Sequence, residues 1–141
     1  MTKFLAAAHG NRYATFVKKR EATTLLIQID ACFFKVVDGW INPRPWFPGL
    51  LYLRSHAAFR AACGYSLSGQ TADAYPLLRT CLEFAAYALH MTVNPTLQAV
   101  WLRRHDDDDC MRAVKTQFTV ASTQHDPCTE SKDRRGLSSS L

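Results

Sequence analysis

The chain has 141 residues, of which 48% are hydrophobic and 21% are charged, and its formal net charge is +5. This length suits one domain that buries a core without disulfides or metal, and the composition is ordinary for a globular protein. The basic residues are spread along the chain instead of being clustered, so the charge does not indicate a dedicated nucleic-acid domain.

The cysteines and the lengths of the apolar runs indicate the cellular compartment of the protein. The five cysteines are odd in number and form no Cys-x-x-Cys pair, a pattern typical of free thiols in a reducing compartment. The apolar stretch near the amino end is shorter than the roughly 7 residues of a signal peptide. No run approaches the roughly 18 apolar residues of a membrane span. We therefore predict a cytoplasmic protein without a membrane segment.

The first part of the chain predicts a loose start, one helix and a connector. Residues 1–12 are expected to form a loose lead-in. From Tyr13 to Val37 apolar residues recur at three- and four-residue steps, which predicts a helix. Asp38-Gly39 is expected to end it, because Gly takes the left-handed conformation found at helix ends. Three prolines within residues 42–48 exclude a helix or a central strand and predict a rigid connector.

The remainder of the chain predicts further helices and a tail. Helices are expected over 49–67, 72–91 and 96–104, and a last one is expected to end near Val120. The segment 121–141 has two leucines as its only large apolar residues, so it cannot offset its ordering entropy and is predicted to be disordered. A natural tail and a truncated end both stay open there. The fold class is therefore all-α, a compact bundle of four to five helices over 13–120.

The third predicted helix carries the candidate polar groove. Arg79, Glu83, Tyr87 and His90 fall along one stripe of this otherwise apolar helix. In a groove, Arg79 would bind an anion or a carboxylate, Glu83 would orient it, and His90 would move a proton near neutral pH. The alternative is an internal Arg79–Glu83 ion pair that fixes helix register, joined by Arg54 or Arg60. The sequence leaves both open.

The same helix carries a resemblance to a known group. The run Leu77-Leu-Arg-Thr-Cys-Leu-Glu-Phe-Ala85 resembles the Leu-Leu-Arg-x-x-x-Glu helix of uncharacterised bacterial helical proteins of the HEPN-like group. The resemblance covers about Leu51 to Phe118 and implies an all-α bundle, linked in some members to RNA cleavage in defence or toxin–antitoxin systems. The ribonuclease members carry an Arg, then four to six residues, then a His. This chain lacks that spacing, so no catalytic residue is carried over.

The run His105-Asp-Asp-Asp-Asp109 is a second candidate. Four adjacent aspartates point around a helix and cannot converge on one metal ion, and the alternating ligands and Gly of a calcium loop are absent. Acids at a helix start are favoured instead, because they cap free N–H groups and face the positive end of the helix dipole. We predict an N-cap here, and neither a metal site nor a cofactor elsewhere.

No assembled catalytic constellation stands out, so the sequence favours a non-enzymatic interaction or regulatory module of a bacterial cytoplasmic protein. Its expected partner is another protein or a second copy of itself. The alternative is a HEPN-like RNA-binding or RNA-cleaving protein with an atypical site around Arg79, Glu83 and His90. A third reading is a fragment, whose exposed apolar surface would cause aggregation.

Overall fold

The computed structural model describes residues 1–41, 44 and 46–119, and every regular element in this part of the chain is an α-helix. The helices follow in chain order as α1 Thr2–Lys18, α2 Arg20–Val37, α3 Trp46–Leu67, α4 Thr71–Val93, α5 Thr96–Leu102 and α6 Asp108–Gln117. The all-α prediction is confirmed, with six helices among the described residues instead of the four or five expected. The predicted disordered tail, 121–141, lies outside the described residues.

The additional helix is α1, which covers most of the expected loose lead-in, residues 1–12, and extends into the segment predicted to be helical from Tyr13. Its first half contains three consecutive alanines, the strongest helix formers, at positions 6–8. Lys19, with φ −120° and ψ 52°, separates α1 from α2, whereas the apolar period predicted one helix from Tyr13 to Val37. Neither Gly nor Pro stands at this break, so the local sequence carries no signal for it.

Two helices end where the sequence predicts, because each end is followed by a glycine in the left-handed region of backbone conformation. α2 ends at Val37 and Gly39 has φ 86°, while α3 ends at Leu67 and Gly69 has φ 84°. A side chain at either glycine would be strained in this conformation. The predicted stops at Asp38-Gly39 and in the turn after residue 67 are therefore confirmed.

The chain divides into two units, Met1–Ala85 and Ala86–Leu141, and the boundary lies inside α4. The first unit contains α1, α2, α3 and the beginning of α4. The described part of the second contains the rest of α4 with α5 and α6. The predicted extent of a single domain, 13–120, stays a prediction. Among the described helices, none combines the length and the apolar character that crossing a bilayer requires.

In the first unit, α2 and the beginning of α4 both pack against α3. The buried cluster and the side chains packed on it are Ala58, Phe59, Cys81, Leu26, Phe33 and Cys63. Arg54 lies over the Phe84 ring and Ser55 contacts Cys81, so α3 and the beginning of α4 run antiparallel. α1 is fixed at the end of α3, where Arg12 Nε donates to Ser68 Oγ at 2.6 Å.

In the second unit, an aromatic cluster gathers residues from α4, α5 and the end of α6. The ring centroid of Trp101 lies 4.9 Å from that of Phe118 and 5.2 Å from that of Tyr87. Phe118, Leu97 and Val114 are buried. Short helices depend on tertiary packing of this kind for their stability.

Candidate functional site

Arg79 and Glu83, the charged half of the predicted polar groove, form an ion pair at the surface of the first unit. Arg79 Nε donates to Glu83 Oε1 at 2.8 Å, and the two side chains are 80% and 43% exposed. The expectation of an internal ion pair is therefore wrong. The physical reason is helix orientation, because the face of α4 that meets α3 is the one carrying Cys81 and Phe84.

Tyr87 and His90, the other half of the predicted groove, belong to the second unit. Both rings meet Phe118 edge to face, with centroid distances of 5.4 Å for Tyr87 and 5.6 Å for His90. Edge-to-face contacts place the positive edge of one ring on the negative face of another and stabilise aromatic packing. That these two residues act with Arg79 and Glu83 as one binding site stays a prediction.

A short polar contact in the first unit joins two residues that are not among the predicted site residues. His56 Nε2 and Asp30 Oδ1 lie 2.6 Å apart, linking α3 to α2. The His56 side chain is 10% exposed and that of Asp30 is 34% exposed. Phe33 stacks on the imidazole at a centroid distance of 4.7 Å, and Phe34 meets it edge-on at 5.1 Å. The imidazole is therefore fixed in both position and orientation.

Potential nucleophiles lie near this contact, but their environments do not activate them. Cys63 shares with Asp30 an open groove of about 310 Å³ between α2 and α3. Burial, together with the negative charge of Asp30, raises the pKa of the Cys63 thiol, which keeps it protonated and weakly nucleophilic. Ser55 Oγ donates to the Cys81 carbonyl at 2.8 Å. The arrangement supports helix positioning better than nucleophilic catalysis.

One signal in the sequence could have found the Asp30–His56 contact. Asp30 lies on the same helical stripe as Leu26 and Phe33, which pack toward α3. A carboxylate on a packed apolar stripe requires a polar partner on the facing helix. His56 is 26 positions away in the sequence, so its identity depends on the register between α2 and α3.

The acidic run forms the predicted helix cap. Asp107 is the N-cap of α6, and its Oδ1 accepts a hydrogen bond of 2.6 Å from the Cys110 N–H. This bond holds the pKa of the Asp107 carboxyl below its ordinary value. Arg103 pairs with Asp106 at 3.3 Å and Arg112 with Asp109 at 3.1 Å. The cap prediction is confirmed. Within the described residues, no three His, Cys, Asp or Glu side chains converge as a metal site would require.

The first two helices expose an unusual amount of apolar surface. Neither α1 nor α2 contains a buried residue. Their exposed large apolar side chains are Phe4, Leu5, Tyr13, Phe16, Val17, Leu25, Ile27, Ile29, Phe34 and Val36. Where exposed apolar side chains form a large patch, the surface is typical of an interaction site.

On α2 this surface is ordered as a stripe. We call it the open seam, defined as the exposed residues Ala22, Leu25, Ile29, Cys32 and Val36. They recur at steps of three and four along the helix, which brings them onto one face. The neighbouring stripe, which includes Leu26 and Phe33, packs toward α3. One apolar face of α2 is thus used within the chain, and the adjacent one is exposed.

No protein family, curated protein or solved structure matches this chain. The resemblance to the HEPN-like group therefore stays a prediction.

Proposed function

We propose that the chain is a non-enzymatic interaction module that binds a protein partner through the exposed apolar surface of α1 and α2. The observation that carries this proposal is that two helices of 17 and 18 residues contain no buried residue while exposing large apolar side chains. Helices of this length gain most of their stability from packing an apolar face. A partner that covers this apolar face would supply the packing that stabilises the helices.

The environments of the polar groups also support an interaction role. His56 is packed between aromatic rings, the pKa of Cys63 is raised, and Ser55 donates to a backbone carbonyl. A catalytic nucleophile needs the opposite, an adjacent base or a lowered pKa. These groups join α2, α3 and α4 and so hold the exposed surface in place.

The cytoplasmic location belongs to the same proposal. Cys32, Cys63, Cys81 and Cys110 are free thiols in the structure. Free thiols of this number persist in a reducing compartment. A bacterial origin rests on the HEPN-like resemblance alone and is proposed with it.

The test is quantitative affinity capture with the tagged full chain from cells that express it natively. Wild type is compared with the double variant Ile29→Glu/Val36→Glu, which places charge on the exposed apolar surface of α2. The matched control is Thr24→Glu/Ala31→Glu, which adds the same charge at exposed positions of the same helix outside the apolar stripe. We expect wild type and control to retain the same proteins and the apolar-face variant to lose them. Equal capture by all three forms, or capture of neither an untagged copy of the chain nor any other protein, would refute the proposal.

RNA is a second candidate partner, with one observation in its favour. Lys18, Lys19 and Arg20 line an open hollow of about 470 Å³ at the junction of α1 and α2. Adjacent cations attract phosphate, and such binding weakens steeply with salt. Titration of labelled RNA at low salt tests this candidate, with Arg79→Ala as the probe for the HEPN-like helix. Binding that salt removes and Arg79→Ala weakens would favour RNA, while inertness at low salt would exclude it.

A further inference from the structure

The open seam of α2 has the residue spacing of a two-helix interface. Ala22, Leu25, Ile29 and Cys32 follow the alternating three- and four-residue steps of a heptad seam, and all four are exposed. Lengthwise, α2 spans 18 residues, or about 27 Å at 1.5 Å per residue. That is long enough for four successive layers of side chains to meet a second helix.

The polar residues beside the seam are complementary to themselves in one orientation. Glu21, Gln28 and Lys35 are exposed and spaced seven apart, so they line one edge of the open seam. The acid lies near the beginning of α2 and the base near its end. When two copies of such a helix run antiparallel, the acid of each faces the base of the other.

We propose that the open seam of α2 pairs antiparallel with the same seam of a second copy of this chain. The two-fold axis passes beside residues 27–28. Leu25 then packs against Ile29 of the other copy and Ala22 against Cys32, while Glu21 faces Lys35 and the two Gln28 side chains face each other. This two-fold pairing is isologous, so it closes as a dimer and exposes no further seam.

A parallel pairing has no such complementarity. In a parallel pair, each residue that flanks the seam on one helix would face the residue five positions later on the other helix. Glu21 would then face Leu26, and Lys35 would face Trp40, neither of which carries charge. Leu26 also packs toward α3 within its own chain. The charges therefore select the antiparallel orientation.

The experiment is sedimentation equilibrium of the purified full chain with a charge exchange across the interface. Glu21→Lys and Lys35→Glu are each expected to weaken the dimer about tenfold, because each converts two symmetry-related attractive pairs into repulsive ones. The double variant Glu21→Lys/Lys35→Glu restores opposite charges and should recover most of the affinity. Both residues are exposed, and circular dichroism checks that each variant keeps its helix content.

A second pair of variants tests the contact along the open seam. Leu25→Glu places a charge in the seam, and Thr24→Glu is the control at the neighbouring position outside it. We expect the first to be a monomer and the second a dimer. A wild-type monomer, an undefined aggregate, a dimer that tolerates Leu25→Glu, or a dimer without rescue by the double variant would each overturn the inference.

The inference rests on the proposed interaction function, but the two fail in different ways. If the chain is a monomer yet captures another protein in a manner that Ile29→Glu/Val36→Glu abolishes, the pairing is wrong and the interaction function stands. If no capture depends on that surface and the chain is a monomer, both are wrong.

Discussion

His56 shows how a single polar side chain fixes two helices in this protein. Its imidazole bonds Asp30 at 2.6 Å and lies against the rings of Phe33 and Phe34. A buried polar group with a partner stabilises modestly, whereas one that loses its partner retains the full desolvation cost. The contact therefore does more to specify the register of α2 on α3 than to add net stability.

Removing the hydrogen-bond acceptor of His56 should show that an unpaired buried polar group costs more than the paired group contributes. Asp30→Ala leaves the His56 N–H without its partner, and we expect the free energy of unfolding to fall by about 1–3 kcal/mol. Asp30→Asn keeps an amide oxygen in place and should cost less. Urea unfolding of wild type, Asp30→Ala and Asp30→Asn measures both changes in the free energy of unfolding. An Asp30→Ala protein as stable as wild type would show that the contact does not hold the helices.

Cys63 reports the electrostatics of the same groove. Burial is the larger cause of its raised pKa, and the charge of Asp30 adds to it. A raised pKa means that the folded state binds this proton more tightly, so the associated stability is present below the unfolded pKa and is lost as pH rises through the folded one. Asp30→Asn removes the charge and should lower the pKa of Cys63.

Alkylation rates as a function of pH, resolved by peptide mass spectrometry, test this expectation. The rate profile of Cys63 should move to lower pH in Asp30→Asn. A uniform acceleration without a shift along the pH axis would instead indicate local opening, and would contradict the electrostatic account.

The helices differ in what specifies them. α6 begins at Asp107, whose carboxylate accepts the Cys110 N–H, and two further acids follow in its first turn. This local chemistry was predictable because cap and helix are adjacent in sequence. The helix α1 was not, since it lacks a pattern of burial and ends at Lys18 without a breaker residue.

Loss of the α6 cap should be visible in thermal unfolding. We expect Asp107→Ala to lower the melting temperature and Asp107→Asn to lower it less, because asparagine still caps. Since the pKa of Asp107 is lowered, its contribution is present above about pH 4 and is lost as pH falls through the folded pKa. The difference between wild type and Asp107→Ala should therefore shrink in acid. A constant difference down to low pH would contradict the assignment.

The Arg79–Glu83 pair on α4 should matter little to folding. Exposed pairs four residues apart contribute about 0.3–0.5 kcal/mol, because solvent screens them. We expect Glu83→Gln to change the free energy of unfolding by no more than that. Chemical denaturation measures it. A loss of about 2 kcal/mol or more would show that the pair is part of the packing.

For the chain as a whole, the fold class could be predicted because apolar residues recur with helical period through most of the sequence. The sequence could not distinguish an apolar face that packs within the chain from one that stays exposed. On α2, Leu26 packs toward α3 while its neighbour Leu25 is exposed, and both fit the helical period. Only the register between helices separates them, and this register also brings Asp30 to His56.

The central claim is that the open seam of α2 is an interface between two copies of the chain. Light scattering on the eluting wild-type protein, from low to high micromolar concentration, tests it most directly. We expect the mass to rise toward twice the 15.9 kDa of one chain, and Leu25→Glu to stay at the single-chain mass. A wild-type protein that stays at 15.9 kDa throughout this range would contradict the claim.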